Sequence, residues 1–214
     1  MDSFKLERLI CPALNILPPN TSPRIYADAI AYFEAIPWTA ALLKKPRTIA
    51  FVPQTVNPAD ENDNQFFSQT LLGERGLRHM LCLFTCDDDA HARDPERPIT
   101  KVHVLYAVGP ALGGYPGILH GGMTMTMMDE GMSVINELNL ALGKTSSVFQ
   151  STSVTAGLDI KFVRGVPIDS CVCVTAQVDG WEGRKTRISA VLTGAQNEVL
   201  AKCTSMWVAL KAKV

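Results

Sequence analysis

GYPGILHGGMTMTMMDE, residues 114–130, is the stretch that decides how this 214-residue chain folds. Gly121 and Gly122 allow a tight backbone turn and leave amide groups unshielded at the start of a helix. Free N–H groups and the positive end of a helix dipole stabilise a developing negative charge. Asp129 follows more than two helical turns later, inside a Met-rich apolar run. The stretch therefore predicts a helix that begins in an anion-stabilising turn and carries a carboxylate in apolar surroundings.

The helix is predicted to run from about Gly121 to Leu142, with Gly143 as its C-cap. A carboxylate placed like Asp129 is unfavourable to bury unless it is paired or used in chemistry. Glu130 points about 100° away from Asp129 around the helix, so we expect it to be a paired or surface carboxylate. Three methionines flank Asp129 in sequence: Met125, Met128 and Met132.

Strand patterns surround this helix on both sides. Two predicted strands precede it, at residues 77–86 and 99–108, and four follow, at residues 154–164, 170–178, 186–193 and 199–210. The turns between the later strands are short enough to join antiparallel neighbours. The order β-β-α-β-β-β-β predicts an α+β fold in which an antiparallel sheet wraps around one long central helix.

The first third of the chain has a different pattern. Helical spacing between Ser22 and Lys45, broken at Pro37, predicts two short helices, and residues 64–72 predict another. Residues 46–63 are rich in Pro, Asn and Asp and are expected to be irregular. We therefore divide the chain into an N-terminal helical and irregular extension, residues 1–75, and a sheet-and-helix domain, residues 76–214.

Composition narrows the choice of partners. The chain has 20 basic and 21 acidic residues with no block of like charge, which argues against nucleic acid as a partner. No run of eighteen apolar residues occurs, so no membrane span is expected, and the first eight residues lack the order of a secretory leader. The six cysteines lack metal-site spacing and predict reduced structural thiols, no bound metal and a cytoplasmic location.

His120-Gly121-Gly122 followed by Asp129 resembles the signature of the hotdog-fold acyl-CoA thioesterases. The resemblance extends from about Gly76 to the C-terminus. It is closest to the branch with a Gly-Pro-Pro-Gly-x-x-His-Gly-Gly run, matched here by residues 114–122, and residues 155–164 and 182–185 match two further segments of that branch. The resemblance implies a hotdog fold with an N-terminal helical extension.

The resemblance also implies roles for individual residues. Asp129 would be the general base or nucleophile, Thr155 would orient the attacking water, and the Gly121 amide would polarise the thioester carbonyl. His120 is a further catalytic candidate, with a structural or gating role as its alternative. Because the family combines the Asp and Thr of one subunit with the Gly amide of another, a homodimer or a dimer of dimers is implied.

The substrate is expected to be an acyl-CoA or an acyl-carrier thioester, with no cofactor beyond the coenzyme A of the substrate. Strict alternation along residues 154–162 places Thr155, Asp159 and Lys161 on one face, which could follow a pantetheine arm. The resemblance assigns the binding of coenzyme A to five residues: Gly122, Lys161, Val163, Arg184 and Lys185. Lys161 and Arg184 could equally be ordinary solvated cations.

Two departures and two alternatives accompany this interpretation. Many relatives have Asn at the position of Gly114, which leaves carbonyl polarisation mostly to Gly121, and the related branch has a strand Asn where Lys161 stands. A hydratase on the same fold needs a His partner for its carboxylate, and no His follows Asp129. The other alternative is a non-hydrolytic protein that binds, cyclises or isomerises an acyl or polyketide intermediate, for which the Met-rich helix offers an adaptable wall.

Overall fold

A computed structural model describes residues 8–211. The expectation about a leader concerns residues 1–8, nearly all of which lie outside this range. Within this range there are three α-helices: α1 (Pro23–Glu34), α2 (Pro37–Leu43) and α3 (Gly121–Ala141). The described residues also form nine strands: β1 (Thr48–Phe51), β2 (Leu77–Thr85), β3 (Lys101–Val108), β4 (Gly113–Tyr115), β5 (Ile118–Leu119), β6 (Ser153–Phe162), β7 (Ser170–Glu182), β8 (Lys185–Thr193) and β9 (Val199–Ala209).

Seven strands form one antiparallel sheet in the order β1-β2-β3-β7-β8-β9-β6. The short strands β4 and β5 form a separate ribbon immediately before α3. The long helix packs against β3, β6, β7 and β8. The predicted α+β fold, with one long helix against an antiparallel sheet and short helices before it, is confirmed, and this is the hotdog arrangement that the resemblance implies.

The close approach of α3 to the sheet depends on one glycine. A Cβ atom added at Gly131 would lie 2.7 Å from Cγ1 of Val174 on β7, closer than two carbon atoms can pack. On the neighbouring strand, the Tyr106 hydroxyl donates a hydrogen bond of 2.9 Å to the carbonyl of Met127. These buried contacts fix the height and rotation of the helix, and thereby the position of Asp129.

The N-terminal segment contributes to the sheet, which the sequence did not predict. Residues 46–63 were expected to be irregular, but they include β1, whose Phe51 pairs with Cys82 of β2 and is fully buried. The two predicted short helices are confirmed as α1 and α2, and a π-helical turn occupies Phe66–Leu71. The proposed boundary between residues 75 and 76 stays a prediction.

A β-bulge in β6 corrects the expected faces of that strand. Thr155 pairs with Trp207 and Gly157 pairs with Met206, so the intervening Ala156 has no partner on β9. The extra residue reverses the alternation. Thr155 therefore faces α3, while Asp159 and Lys161 lie on the opposite face, and the prediction that all three share one face is wrong.

The cysteines are all free thiols, as the sequence predicts for this number and spacing. Burial raises the pKa of Cys11, Cys173 and Cys203 to about 11. Thiols with raised pKa values are poor nucleophiles at neutral pH. These side chains therefore contribute packing, and the chemistry of the chain must come from other groups.

The Gly131 contact gives a test of this helix placement. We expect Gly131→Ala to lower the free energy of unfolding by about 1–3 kcal/mol, because the added methyl group overlaps Val174. Gly113→Ala is the matched control, since a Cβ there meets nothing closer than 3.5 Å. Urea unfolding of both variants measures the difference, and equal midpoints would contradict the close helix–sheet contact.

Candidate active site

Asp129 and Thr155 meet where α3 passes β6. The Thr155 hydroxyl donates a hydrogen bond of 2.9 Å to Oδ1 of Asp129. Asp129 is half-buried, and this burial raises its pKa above the usual range, while the hydrogen bond from Thr155 acts in the opposite direction. The family resemblance implied that these two residues share one site, and the structure brings them together. A partly desolvated carboxylate with an oriented hydroxyl is suited to removing a proton from a bound water.

The glycine pair and His120 form the N-terminus of α3. His120 is the N-cap, and its Nδ1 accepts a hydrogen bond of 3.0 Å from the Gly122 amide. A Cβ at Gly122 would lie 3.0 Å from that nitrogen, so glycine leaves room for the imidazole cap. Among residues 8–211 the Gly121 amide has no acceptor. The cap therefore occupies one amide and leaves the other available to a ligand.

This arrangement changes the roles expected for two residues. Because the Gly122 amide is already bonded to His120, it cannot also donate to a substrate. The expected contribution of Gly122 to substrate binding is therefore limited to its small size. His120 has a structural role as the helix cap, and its role in the chemistry stays a prediction.

The Gly121 amide and the Asp129 carboxylate of one chain are too far apart to act on one carbonyl. Eight residues of α-helix separate them, which corresponds to about 12 Å along the axis. A thioester carbonyl attacked by water at Asp129 would therefore need a donor from elsewhere. The structure brings Asp129 and Thr155 together but leaves Gly121 at the other end of the site.

A cleft of about 650 Å³ opens beside the helix N-terminus. Its walls include His120, Gly121 and Thr124 from the helix region and Phe162 and Val163 from the end of β6. The Phe162 ring lies over the helix start, 3.6 Å from where a Cβ of Gly121 would be. Two ends of β6 thus have different neighbours: Thr155 contacts Asp129, and Phe162 contacts Gly121.

The residues expected to bind coenzyme A do not converge within one chain. Lys185 pairs with Val208, which pairs with Val154, so the β7–β8 hairpin lies near the start of β6. Lys161 is seven residues further along β6, roughly 20 Å away. The Arg184 guanidinium donates a hydrogen bond of 2.8 Å to the Ala209 carbonyl. This bond partly accounts for the orientation of the Arg184 side chain.

Val163 stands at the other end of β6 from that hairpin. It lines the cleft, but its amide donates to the Leu200 carbonyl at 2.8 Å, so only its carbonyl is available to a ligand through the backbone. The binding roles of Lys161, Val163, Arg184 and Lys185 stay predictions.

Glu130 is neither a surface carboxylate nor one member of an ion pair, contrary to expectation. Burial raises its pKa from near 4.5 to about 7, and its Oε1 has no hydrogen-bond partner. Seven residues further along α3, burial raises the pKa of Glu137 to about 8. This happens although Oε1 of Glu137 accepts a hydrogen bond of 2.7 Å from the backbone amide of Gln54. The sequence contained a signal for this pair, because a spacing of seven residues places both on one side of a helix.

Within residues 8–211, no group of three or more His, Cys, Asp or Glu side chains is arranged to hold a metal ion. In the same range, no helix has both the length and the hydropathy that crossing a bilayer requires.

The raised pKa of Glu137 predicts how stability depends on pH. Between about pH 4.5 and about pH 8 the folded protein keeps a proton that the unfolded chain loses, so stability falls as the pH rises. Glu137→Gln removes the ionisable group that causes this fall in stability, and its side-chain oxygen can still accept the hydrogen bond from the Gln54 backbone amide. We expect the variant to become increasingly more stable than the wild type from about pH 5 to about pH 8, measured by urea unfolding. Glu61→Gln, an exposed substitution, is the control, and a difference that does not vary with pH would contradict the assignment.

Part of this chain is similar to known thioesterases. Residues 116–200 match the family model described as "Thioesterase superfamily". The chain is 35% identical over 107 residues to acyl-coenzyme A thioesterase THEM4 of Bos taurus, covering 50% of this chain and 40% of that protein. It is 31% identical over 117 residues to acyl-coenzyme A thioesterase THEM5 of Homo sapiens, covering 54% and 43%.

A fungal relative aligns over more of its length. Verlamelin biosynthesis protein B of a Lecanicillium species is 25% identical over 165 residues, covering 67% of this chain and 71% of that protein. The matches to the two mammalian proteins span less than half of their length. The segment that matches the thioesterase family model, residues 116–200, contains both the glycine turn and Asp129.

Proposed function

We propose that the protein hydrolyses thioesters of acyl groups with coenzyme A or an acyl carrier. The observation that carries the proposal is the 2.9 Å hydrogen bond between Thr155 and the half-buried Asp129. The names of the mammalian relatives, which are acyl-coenzyme A thioesterases, support the same reaction. No cofactor other than the coenzyme A of the substrate is proposed.

The reaction follows from the chemistry of the three groups. Asp129 accepts a proton from a water molecule that Thr155 orients, and the water oxygen attacks the thioester carbonyl. The Gly121 amide, at the positive end of α3, donates a hydrogen bond to the oxyanion that forms. Collapse of this intermediate breaks the carbon–sulfur bond, and the proton held by Asp129 passes to the leaving sulfur. The products are the free acid and the thiol of the carrier, and Asp129 is again ionised.

We also propose a homodimer, or a dimer of dimers built from it, joined along β6. This strand is at the edge of the sheet and carries exposed apolar side chains, including Val154 and Phe162. Antiparallel pairing with β6 of a second copy would place the Phe162 end of one strand beside the Thr155 end of the other. Since Phe162 contacts Gly121 and Thr155 contacts Asp129, each site would then combine Asp129 of one copy with Gly121 of its partner.

The same pairing supports the proposed binding of coenzyme A. Arg184 and Lys185 lie near the start of β6, while Lys161 and Val163 lie at its end. In an antiparallel dimer the hairpin of one copy would approach the strand end of the other, so these cations could meet one nucleotide. The free thiols are consistent with a cytoplasmic location, which we include in the proposal.

Asp129→Asn tests the base. We expect kcat for acyl-CoA hydrolysis, followed by thiol release, to fall by about a thousandfold, because the amide cannot accept a proton. Thr155→Ala should reduce kcat less, since it orients the water without accepting its proton. Asp89→Asn, in an exposed loop, is the control. An Asp129→Asn enzyme with full activity would refute the proposed chemistry.

Gly121 offers a test that changes only the amide. Proline is tolerated at the first position of a helix, and His120 has the extended backbone that a residue before proline requires. Gly121→Pro removes the N–H and should lower kcat by about 100- to 1,000-fold, whereas Gly121→Ala keeps it and should lower kcat much less. Equal losses in the two variants would show that the amide is not the donor.

Mixing two inactive variants tests the shared site. In a heterodimer of Asp129→Asn and Gly121→Pro chains, one site has both defects and the other has none. Random assembly should therefore restore about a quarter of wild-type activity, since half of the dimers are mixed and half of their sites are intact. Native mass spectrometry of the mixture confirms subunit exchange, and mixed dimers without activity would show that each site lies within one chain.

The hydrogen bond from Thr155 predicts a shift in the pH profile. This bond holds down a pKa that burial raises, so Thr155→Val should raise the pKa of Asp129 further. Because the ionised carboxylate is the active form, the acid limb of kcat/KM should move to higher pH. Thr204→Val, an exposed change on β9, is the control. A limb that stays in place, or moves to lower pH, would contradict the role of this hydrogen bond.

A further inference from the structure

A second cavity, of about 190 Å³, lies further along α3 from Asp129. We call it the polar cavity. Ten residues line it: Gln54, Thr55, Asn64, Glu130, Ser133, Asn136, Glu137, Ser151, Thr152 and Ser153. None of these side chains is a hydrocarbon, which is unusual for a cavity against the central helix of a sheet-and-helix fold. The walls come from α3, the segment after β1 and the segment leading into β6.

Several polar atoms in this cavity have no partner. Asn136 is only 6% exposed, and both its Nδ2 and its Oδ1 lack hydrogen bonds. The Thr55 hydroxyl, on a residue 9% exposed, and Oε1 of Glu130 form no hydrogen bond of ordinary geometry, although this hydroxyl is near enough to the Glu130 carboxyl to lower its pKa. Burying such a group destabilises the fold unless something in the cavity bonds to it. These atoms come from two elements, α3 and the segment after β1, which converge on one space.

The polar cavity lies in line with the reacting carboxylate. Asp129, Ser133 and Asn136 follow the spacing i, i+4, i+7, so they form one stripe along α3. Ser153, at the cavity, comes two residues before Thr155, which holds Asp129. An acyl chain whose thioester carbonyl is at Asp129 can therefore extend along this stripe, and Asn136 is about 10 Å along the helix from Asp129.

We propose that the polar cavity selects acyl chains that carry hydroxyl or keto groups beyond the thioester, with Asn136 and Thr55 as the residues that recognise them. The inference rests on the proposed hydrolysis and specifies its substrate class. The Asn136 amide can donate to and accept from such a group, and the Thr55 hydroxyl can do either. A polyketide-like or hydroxylated acyl chain would supply the missing partners.

The state of the two carboxyl groups narrows the choice of ligand. Burial raises the pKa of Glu130 to about 7 and that of Glu137 to about 8, so both carboxyl groups resist ionisation at neutral pH more than ordinary glutamates do. A protonated carboxyl can donate to a ligand oxygen. An anionic chain end would be repelled whenever either group ionises. A plain alkyl chain would leave Asn136 unpartnered, which is unfavourable.

Matched substrates test the proposal. We would measure kcat/KM for octanoyl-CoA and for its analogues with one hydroxyl group at each carbon beyond the second. At least one analogue should exceed octanoyl-CoA by about tenfold or more, because it satisfies buried groups that an alkyl chain leaves unpaired. Asn136→Leu and Thr55→Val, from separate elements, should each reduce this ratio severalfold, and circular dichroism would confirm that both variants fold.

Thr204→Val, an exposed change on β9 outside the polar cavity, is the matched control. It should keep the preference for the hydroxylated analogue. Hydrolysis of octanoyl-CoA without preference for any analogue would overturn the inference and leave the proposed function intact, as expected if the polar cavity holds only water. Absence of hydrolysis with every substrate would instead overturn the proposed function. Binding of the same pairs to the Asp129→Asn variant, by calorimetry, then tests recognition separately from turnover, and equal affinities would overturn the inference.

Discussion

The desolvation of carboxylates on one helix is the constraint on which the site depends. Asp129, Glu130 and Glu137 all lie on α3, and burial raises the pKa of each. The helix can hold them because its other faces pack Met127, Met132 and their neighbours into the core. The burial of the apolar side chains of α3 holds the helix in place, although its carboxylates are unfavourable to bury. That cost is what makes the carboxylate reactive, because a fully hydrated one would be a weaker base.

Each of the three carboxylates meets this cost differently. Asp129 receives a hydrogen bond from Thr155, and Glu137 receives one from the Gln54 amide, while Oε1 of Glu130 has none. Gln54 belongs to the segment that follows β1. The N-terminal part of the chain therefore covers one end of the helix as well as extending the sheet. It supplies the hydrogen bond from Gln54 to Glu137 and part of the wall of the polar cavity.

Local patterns in the sequence predicted the parts of the fold that are determined locally. The apolar run and the glycine turn located α3 to within one residue at its end, and alternation located most of the strands. The Asp129 site followed from the same stretch together with the family resemblance. Strand β1 was missed because its four residues lie among prolines and asparagines, and only pairing with β2 makes them extended. The burial of Glu130 was missed for a similar reason, since the residues that cover it are about eighty positions away.

The bulge at Ala156 shows most clearly where sequence reasoning stops. Leu158 and Ile160 face the helix side of the sheet, so strict alternation would direct Ala156 inward and Thr155 outward. The inserted residue reverses this order and aims the Thr155 hydroxyl at Asp129. A bulge depends on the register with β9, and no local pattern in β6 reports that register. Beyond the bulge the alternation is regular and Lys161 lies on the outer face, so one strand presents its hydroxyl to the buried carboxylate and its cation to the opposite surface. The contact between Thr155 and Asp129 is thus a consequence of strand pairing. Trp207, which pairs with Thr155 on the neighbouring strand β9, takes part in placing it.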